Sequence, residues 1–299
     1  MSEKVVVGTR GSKLALAQTE KVVRRLKEAG YEVEIRIIKS TGDIMKDRPL
    51  YEFKGMGAFV RTLELALIDG EIDIAVHSYK DIPSTRVEGT SIAAVLERDS
   101  PCDAFIARDG STLDDIKEGA IVGTSSLRRR AQLRYYRPDL RFENLRGNVD
   151  TRLRKLREGS YDAIVLAEAG LIRLGLAEKI RYQKLPAEIF VPPANQGIIA
   201  VETRKGEENL VDFMNDKKAA LEAEVERAVI RELGIGCAVP AGIYARYEGK
   251  VRLICQILSV DGTEEIRIEE DLNPDTAVEE AKEIARNLKE RIKHLIPKF

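Results

Sequence analysis

The chain has no tryptophan, only three cysteines and only two histidines, and each shortage excludes something. Cys102, Cys237 and Cys255 are odd in number and far apart, which fits neither a disulfide framework nor a paired-cysteine zinc site, so a reducing compartment is expected. His77 and His294 are too few to build a histidine metal centre; no metal is expected, and acid–base work falls to carboxylates. No apolar run approaches the roughly 20 residues of a membrane span. The opening Met1–Lys4 runs into Val5–Val7, too short for the core of a signal peptide, so the expectation is a cytoplasmic protein that makes no membrane contact. Neither sign of charge dominates: 49 Lys and Arg face 50 Asp and Glu, a net charge of -1, which argues against a globally basic nucleic-acid binder. Charged residues nevertheless make up 33% of the chain, and with Asn and Gln scarce this resembles a heat-tolerant surface laced with ion pairs.

What is present begins with length. At 299 residues, two or three domains are expected. Strand-like and helix-like segments alternate through the first seventy residues, an α/β pattern: Lys4–Gly8 as a strand, Ser12–Ala29 as a helix ending at Gly30, Glu32–Lys39 as a strand and Ala58–Ile68 as a helix. The glycine-bearing stretch Ser40–Gly57 is long for a connection and is a candidate lid. A second unit echoes the first. Ile121-Val122-Gly123-Thr124 repeats Val6-Val7-Gly8-Thr9 with an Ala-Gln pair about ten residues on, and Gly159 to Val165 matches Gly70 to Val76 around Asp162 and Asp73. Two similar α/β domains facing a cleft are expected, with the site in that cleft. Crossings are expected near Glu97–Ser100 and Pro192–Gln196, the second returning the strand Ile198–Glu202 to the first domain. The expected division is 1–97 with 195–216, then 98–194, then a small α+β domain over 217–299.

Chemistry concentrates in three places. Residues 128–157 hold eleven basic side chains against three acidic ones, a balance of +8, and the dominance of Arg favours bidentate recognition of carboxylate or phosphate. A solvated helix face is the plainer reading. Against it stands position, because Thr124-Ser125-Ser126 caps a helix whose first turn carries Arg128 and Arg129, where arginine opposes the helix dipole and gains nothing as structure. Cys237 lies in a Gly-x-Gly-Cys-x-x-Pro loop where packing does not call for a thiol, open to a role as nucleophile or attachment point. By contrast Cys255 shares an alternating face with Val251, Leu253 and Ile257 and reads as core, and Cys102 has no evident partner. Asp81 follows Lys80 at a strand end and precedes Pro83, either as a turn residue or as a carboxylate that stabilises positive charge or moves a proton.

The chain resembles the hydroxymethylbilane synthase, or porphobilinogen deaminase, family nearly end to end. The resemblance rests on T-R-G-S-K-L-A-L-A-Q at Thr9–Gln18, D-I-A-V-H-S-Y-K-D-I-P at Asp73–Pro83, V-G-T-S-S-L-R-R at Val122–Arg129, L-R-G-N-V-D-T-R-L at Leu145–Leu153 and G-C-A-V-P at Gly236–Pro240. It implies two domains similar to periplasmic-binding-protein modules around a cleft plus a small α+β C-terminal domain. It also implies a dipyrromethane cofactor in thioether linkage to Cys237, on which four porphobilinogen molecules are joined head to tail with release of ammonia before hydrolysis frees hydroxymethylbilane in haem biosynthesis. By motif position Asp81 is the catalytic carboxylate. Ser12, Lys80, Asp81, Thr124, Ser126, Arg128, Arg129 and Arg152 are implied to hold the cofactor, and Arg10, Arg146 and Arg152 the substrate. A monomer is expected; a downstream uroporphyrinogen-III synthase is a conceivable partner that the sequence does not indicate. Two departures stand out: Met56 stands where the family has the lysine of Gly-Lys-Gly, which leaves open whether Lys54 replaces it, and Ile235 replaces a glycine two residues before the cysteine. The alternative class is a cytoplasmic two-domain sensor of anions, without catalysis.

Overall fold

The computed structural model describes residues 3–38, 58–84, 86–236 and 239–296. The expected lid at Ser40–Gly57, with Lys54 and Met56, and Cys237 itself lie outside the described residues. Along the chain come β1 (Lys4–Thr9), α1 (Lys13–Glu28), β2 (Glu32–Ile37), α2 (Ala58–Ile68), β3 (Ile74–Ser78) and β4 (Thr90–Val95). There follow β5 (Asp103–Ala107), β6 (Ile121–Gly123), α3 (Leu127–Tyr136), β7 (Arg141–Glu143), α4 (Val149–Arg157), β8 (Ala163–Ala167), α5 (Glu168–Arg173), β9 (Gln183–Leu185) and β10 (Ile199–Arg204). The last part holds α6 (Lys217–Leu233), β11 (Ala241–Tyr247), β12 (Val251–Leu258), β13 (Glu265–Leu272) and α7 (Ala277–Arg291).

Two compact units result, Met1–Asp99 with Gly197–Ala220, and Ser100–Gln196 with Leu221–Phe299. The C-terminal segment therefore clusters with the second sheet. The first unit contains a five-stranded sheet in the order β2-β1-β3-β10-β4, and the second a five-stranded sheet in the order β7-β6-β8-β5-β9 together with the three-stranded sheet β11-β12-β13. In both five-stranded sheets the first two pairings are parallel and the last two antiparallel. This is a mixed α/β architecture built twice, with a smaller α+β part at the end.

The repeat extends to single hydrogen bonds. Asp73 donates its backbone N–H to the Val6 carbonyl and accepts the Val6 N–H on Oδ2 at 2.8 Å; Asp162 does the same with Ile121, the side-chain bond being 2.9 Å. The residue before each aspartate explains the glycine of the neighbouring strand: a Cβ at Gly8 would stand 2.2 Å from Ile72 Cδ1, and one at Gly123 would stand 2.8 Å from Tyr161 Cδ1. The helix after each strand starts at a serine, Ser12 accepting from the Ala15 N–H and Ser126 from the Arg129 N–H, and each has a buried glutamine six residues past the cap, Gln18 and Gln132. The sequence echo is thus a shared strand–cap–helix unit.

Each core is what the apolar runs dictate. Val5 and Val7 of β1 pack with Val22, Val23 and Leu26 on the inner stripe of α1, and Phe105, Val122, Leu133 and Val165 fill the corresponding space in the second unit. Cys255 sits with Val251, Leu253 and Ile257 in the C-terminal core, as its alternation predicts, and burial pushes its thiol up to about 12.

Candidate active site

In the first unit the expected site residues gather where β1 and its parallel neighbour β3 end. Arg10 and Ser12 follow β1, with Ser12 capping α1, while Lys80 and Asp81 lie in a single 3-10 turn, Tyr79–Asp81, directly after β3. That turn is anchored. Tyr79 is buried and donates its N–H to the Ile198 carbonyl at 3.0 Å, and Ile82 donates back to the Tyr79 carbonyl at 3.1 Å. Gln18 donates to Ser78 Oγ at 2.6 Å, tying α1 to the end of β3. The outcome is a half-buried Lys80 and an exposed Asp81 on a rigid support.

Beneath this end of β3 lies a buried polar cluster. His77 Nε2 is 3.0 Å from Glu202 Oε2, Thr90 donates to Glu202 Oε1 at 2.6 Å, and Arg86 approaches that oxygen at 3.4 Å. Burial alone would raise Glu202, but His77 and the hydroxyl of Thr90 more than offset it and hold the carboxyl below its ordinary value. Glu64 is pushed the other way, first by burial and then by the charge of Glu202.

In the second unit Thr124, Ser126, Arg128 and Arg129 occupy the link from β6 into α3, and Arg146 and Arg152 flank the start of α4. Thr124 Oγ1 accepts the Ser126 N–H at 3.2 Å and donates its own backbone N–H to Glu143, so the cap is fixed before the helix begins. The expectation that Arg128 and Arg129 have no structural use is corrected here. Arg128 Nη2 donates to Asp103 Oδ2 at 2.8 Å and Arg129 Nη2 to Oδ1 of the same carboxylate at 2.7 Å, all three groups buried. Gln196 adds a third donor to Asp103 at 2.9 Å. Burial would raise Asp103, yet the two guanidiniums overcome it and hold the carboxyl far below the carboxylate range.

Asp103 is the member of this cluster that the sequence pattern does not single out. Its signal is slight, a lone acid opening the otherwise apolar β5. One carboxylate cannot balance this cluster, however. Arg152 lies close enough to Arg129 that burial, and then the repulsion between them, pushes it down to about 10; among the described residues its side chain donates only to the Gly147 carbonyl, at 2.8 Å. Arg129 Nε is also buried without a hydrogen-bond partner among the described residues. Arg128, Arg129 and Arg152 against Asp103 alone leave an excess of positive charge and an unused donor. That donor set fits a ligand carrying several carboxylates.

Among the described residues no cluster of His, Cys, Asp and Glu could hold a metal ion, and no helix is long and apolar enough to cross a membrane. Cys102 is buried, which raises its thiol.

Residues 5–212 match the family model described as the porphobilinogen deaminase dipyromethane cofactor binding domain, and residues 220–294 match that of the porphobilinogen deaminase C-terminal domain. The chain belongs to the porphobilinogen deaminase family. A probable porphobilinogen deaminase from Archaeoglobus fulgidus is 69% identical over 289 residues, covering 97% of this chain and 99% of its own. The porphobilinogen deaminase of Rubrobacter xylanophilus is 46% identical over 266 residues, covering 88% and 87%. Among solved structures, a periplasmic substrate-binding protein of an ABC transporter from Coxiella burnetii aligns with a TM-score of 0.43 at 16% identity, over 75% of this chain and 96% of that one. With its relatives named as enzymes, the chain is a transferase of tetrapyrrole synthesis with a dipyrromethane-binding domain, and a sensor without catalysis is not favoured.

Proposed function

We propose that this chain divides its work between its two five-stranded sheets: Asp81 of the first supplies the catalytic carboxylate, and the arginines of the second hold the carboxylates of cofactor and growing chain. The observation that supports this is the uneven cluster of Arg128, Arg129 and Arg152 around the single buried Asp103, with an unused donor at Arg129 Nε. Cys237 is the attachment point, as its motif implies, and residues 217–299 form the domain that bears it. When bound, dipyrromethane supplies the ring carbon that accepts the first substrate unit. Every pyrrole in such a chain brings two carboxylates, so Arg128, Arg129 and Arg152, with Thr124, Ser126, Ser12 and Lys80, hold cofactor groups, while Arg10, Arg146 and Arg152 take those of incoming substrate.

Loss of ammonia from porphobilinogen leaves a ring whose nitrogen shares positive charge, and a carboxylate fixed at Asp81 stabilises that charge more in the transition state than in bound substrate. The rigid turn under Asp81 keeps that charge in place without reorganisation. Cytoplasmic location and a monomeric state belong to this reading. Intact-mass measurement tests the attachment: wild-type protein should carry the dipyrromethane increment and Cys237→Ser should fold without it. The increment on Cys102 or Cys255 would refute the assignment.

A further inference from the structure

Gln132 and Gln18 occupy the same place six residues past a helix cap, but they do different things. Gln18 donates to a hydroxyl within its own sheet, whereas Gln132 leads out of its layer. Arg128 Nη1 donates to Gln132 Oε1 at 2.7 Å, Gln132 Nε2 donates to Gln256 Oε1 at 2.5 Å, and Gln256 Nε2 donates to Glu265 Oε1 at 2.5 Å. A guanidinium can only donate and a carboxylate can only accept, so the two ends fix the orientation of both amides between them. Both glutamines are buried, at 3% and 4% exposure, where a half-satisfied amide is costly.

The chain of donors begins on α3, in the arginine cluster, and ends on β12 and β13 of the C-terminal sheet. A second connection runs alongside it. The Val191 carbonyl accepts from Arg128 Nη1 at 3.1 Å and from Gln132 Nε2 at 2.8 Å, and a Cβ at Gly242 would stand only 2.3 Å from that same oxygen. Gly242 is the second residue of β11, the first strand after Cys237 in the sequence, and it lies opposite Gln256 in the β11–β12 register. The absent side chain at Gly242 thus lets that strand close on the carbonyl that also seats Arg128.

We propose that Gln132 and Gln256 are positioning residues: with the Val191 carbonyl they tie Arg128 to the C-terminal sheet, fixing the guanidinium that grips the cofactor's carboxylates relative to the strands that follow Cys237 in the sequence. The proposal rests on the reading that Cys237 anchors the cofactor and Arg128 binds carboxylate. A purely structural role for the pair would predict that any substitution restoring stability also restores function.

The test compares cofactor loading by intact mass, turnover of porphobilinogen and thermal stability in the full-length protein. Gln256→Glu removes the donor to Glu265 and sets two carboxylates together, so loaded fraction and kcat should fall by roughly tenfold, the effect of a lost buried hydrogen bond plus repulsion. Adding Glu265→Gln reverses donor and acceptor at that link, and should bring both readouts back to within about threefold of wild type. The double change Gln132→Met with Gln256→Met replaces both amides by apolar groups of similar size. It should keep the melting temperature near wild type while loading and kcat stay depressed. Failure of rescue by Glu265→Gln, or full activity in the double methionine variant, would overturn the proposal. If Arg128→Leu itself loads and turns over normally, the underlying reading of Arg128 fails instead, which is a separate outcome.

Discussion

The two five-stranded sheets share strand order, pairing sense, the aspartate clamp on the first strand and the capped helix after it, yet they bury opposite chemistry at equivalent positions. Asp103 pairs with Ala167 at the end of β8, where Ile199 pairs with Ser78 at the end of β3. Counting from the helix caps, Arg128 and Arg129 stand where α1 has Leu14 and Ala15. The first unit has a buried Ile199 and a half-buried Leu14 and Ala15 there, with Asp81 exposed; the second has a buried ion-paired cluster. A repeated backbone can therefore be specialised by changing a few side chains in one place: an isoleucine becomes an aspartate only because the facing helix becomes basic. A buried carboxylate without those partners would cost several kcal/mol.

The comparison can be broken most severely at Asp103. Asp103→Ala leaves two buried guanidiniums without their carboxylate and should cost about 3–5 kcal/mol, measured by denaturant unfolding. The same group sets an acid limit. Its folded pKa is depressed, so its contribution is fully present above the unfolded carboxylate value near pH 4 and is lost as pH falls below it, a dependence that should vanish in the variant. Next comes Asp81→Asn, which keeps shape and removes charge: kcat should fall by roughly a hundredfold or more with a much smaller change in KM, at unchanged stability. Arg152→Leu should sharpen the division of labour. It relieves repulsion with Arg129, so stability should hold or rise, while elongation or cofactor loading should lose on the order of 1.5–3 kcal/mol of carboxylate binding. The smallest effect is expected at Glu64, where burial and Glu202 both favour the neutral carboxyl. Its raised pKa means stability is lost as pH rises, so Glu64→Gln should be neutral or stabilising by about 1 kcal/mol at pH 8 in thermal melts.

Much of this frame was legible in the sequence because its signals are local. Ser12 and Ser126 announce their helices, the echo around Asp73 and Asp162 marks the repeated clamp, and the alternation through Cys255 marks a core strand. What escaped was long-range pairing. Asp103 lies 25 and 26 residues from its arginine partners, and Gln256 lies 124 residues from Gln132, so no spacing rule joins them. Arg128 and Arg129 were conspicuous as charges against a helix dipole, but their half-structural role depends on a carboxylate that only the sheet brings to them.

The central claim is that one unit grips the chain while the other does the chemistry. Intact-mass spectra taken through a time course with limiting porphobilinogen test it directly, on wild type, Asp81→Asn and Arg129→Leu in parallel. Wild type should climb through successive substrate increments. Asp81→Asn, supplied with preassembled cofactor, should show the loaded mass and remain there, whereas Arg129→Leu should be poorly loaded or stall at a particular increment. An Asp81→Asn protein that climbs at the wild-type rate, or an Arg129→Leu protein that loads and elongates normally, would contradict the account.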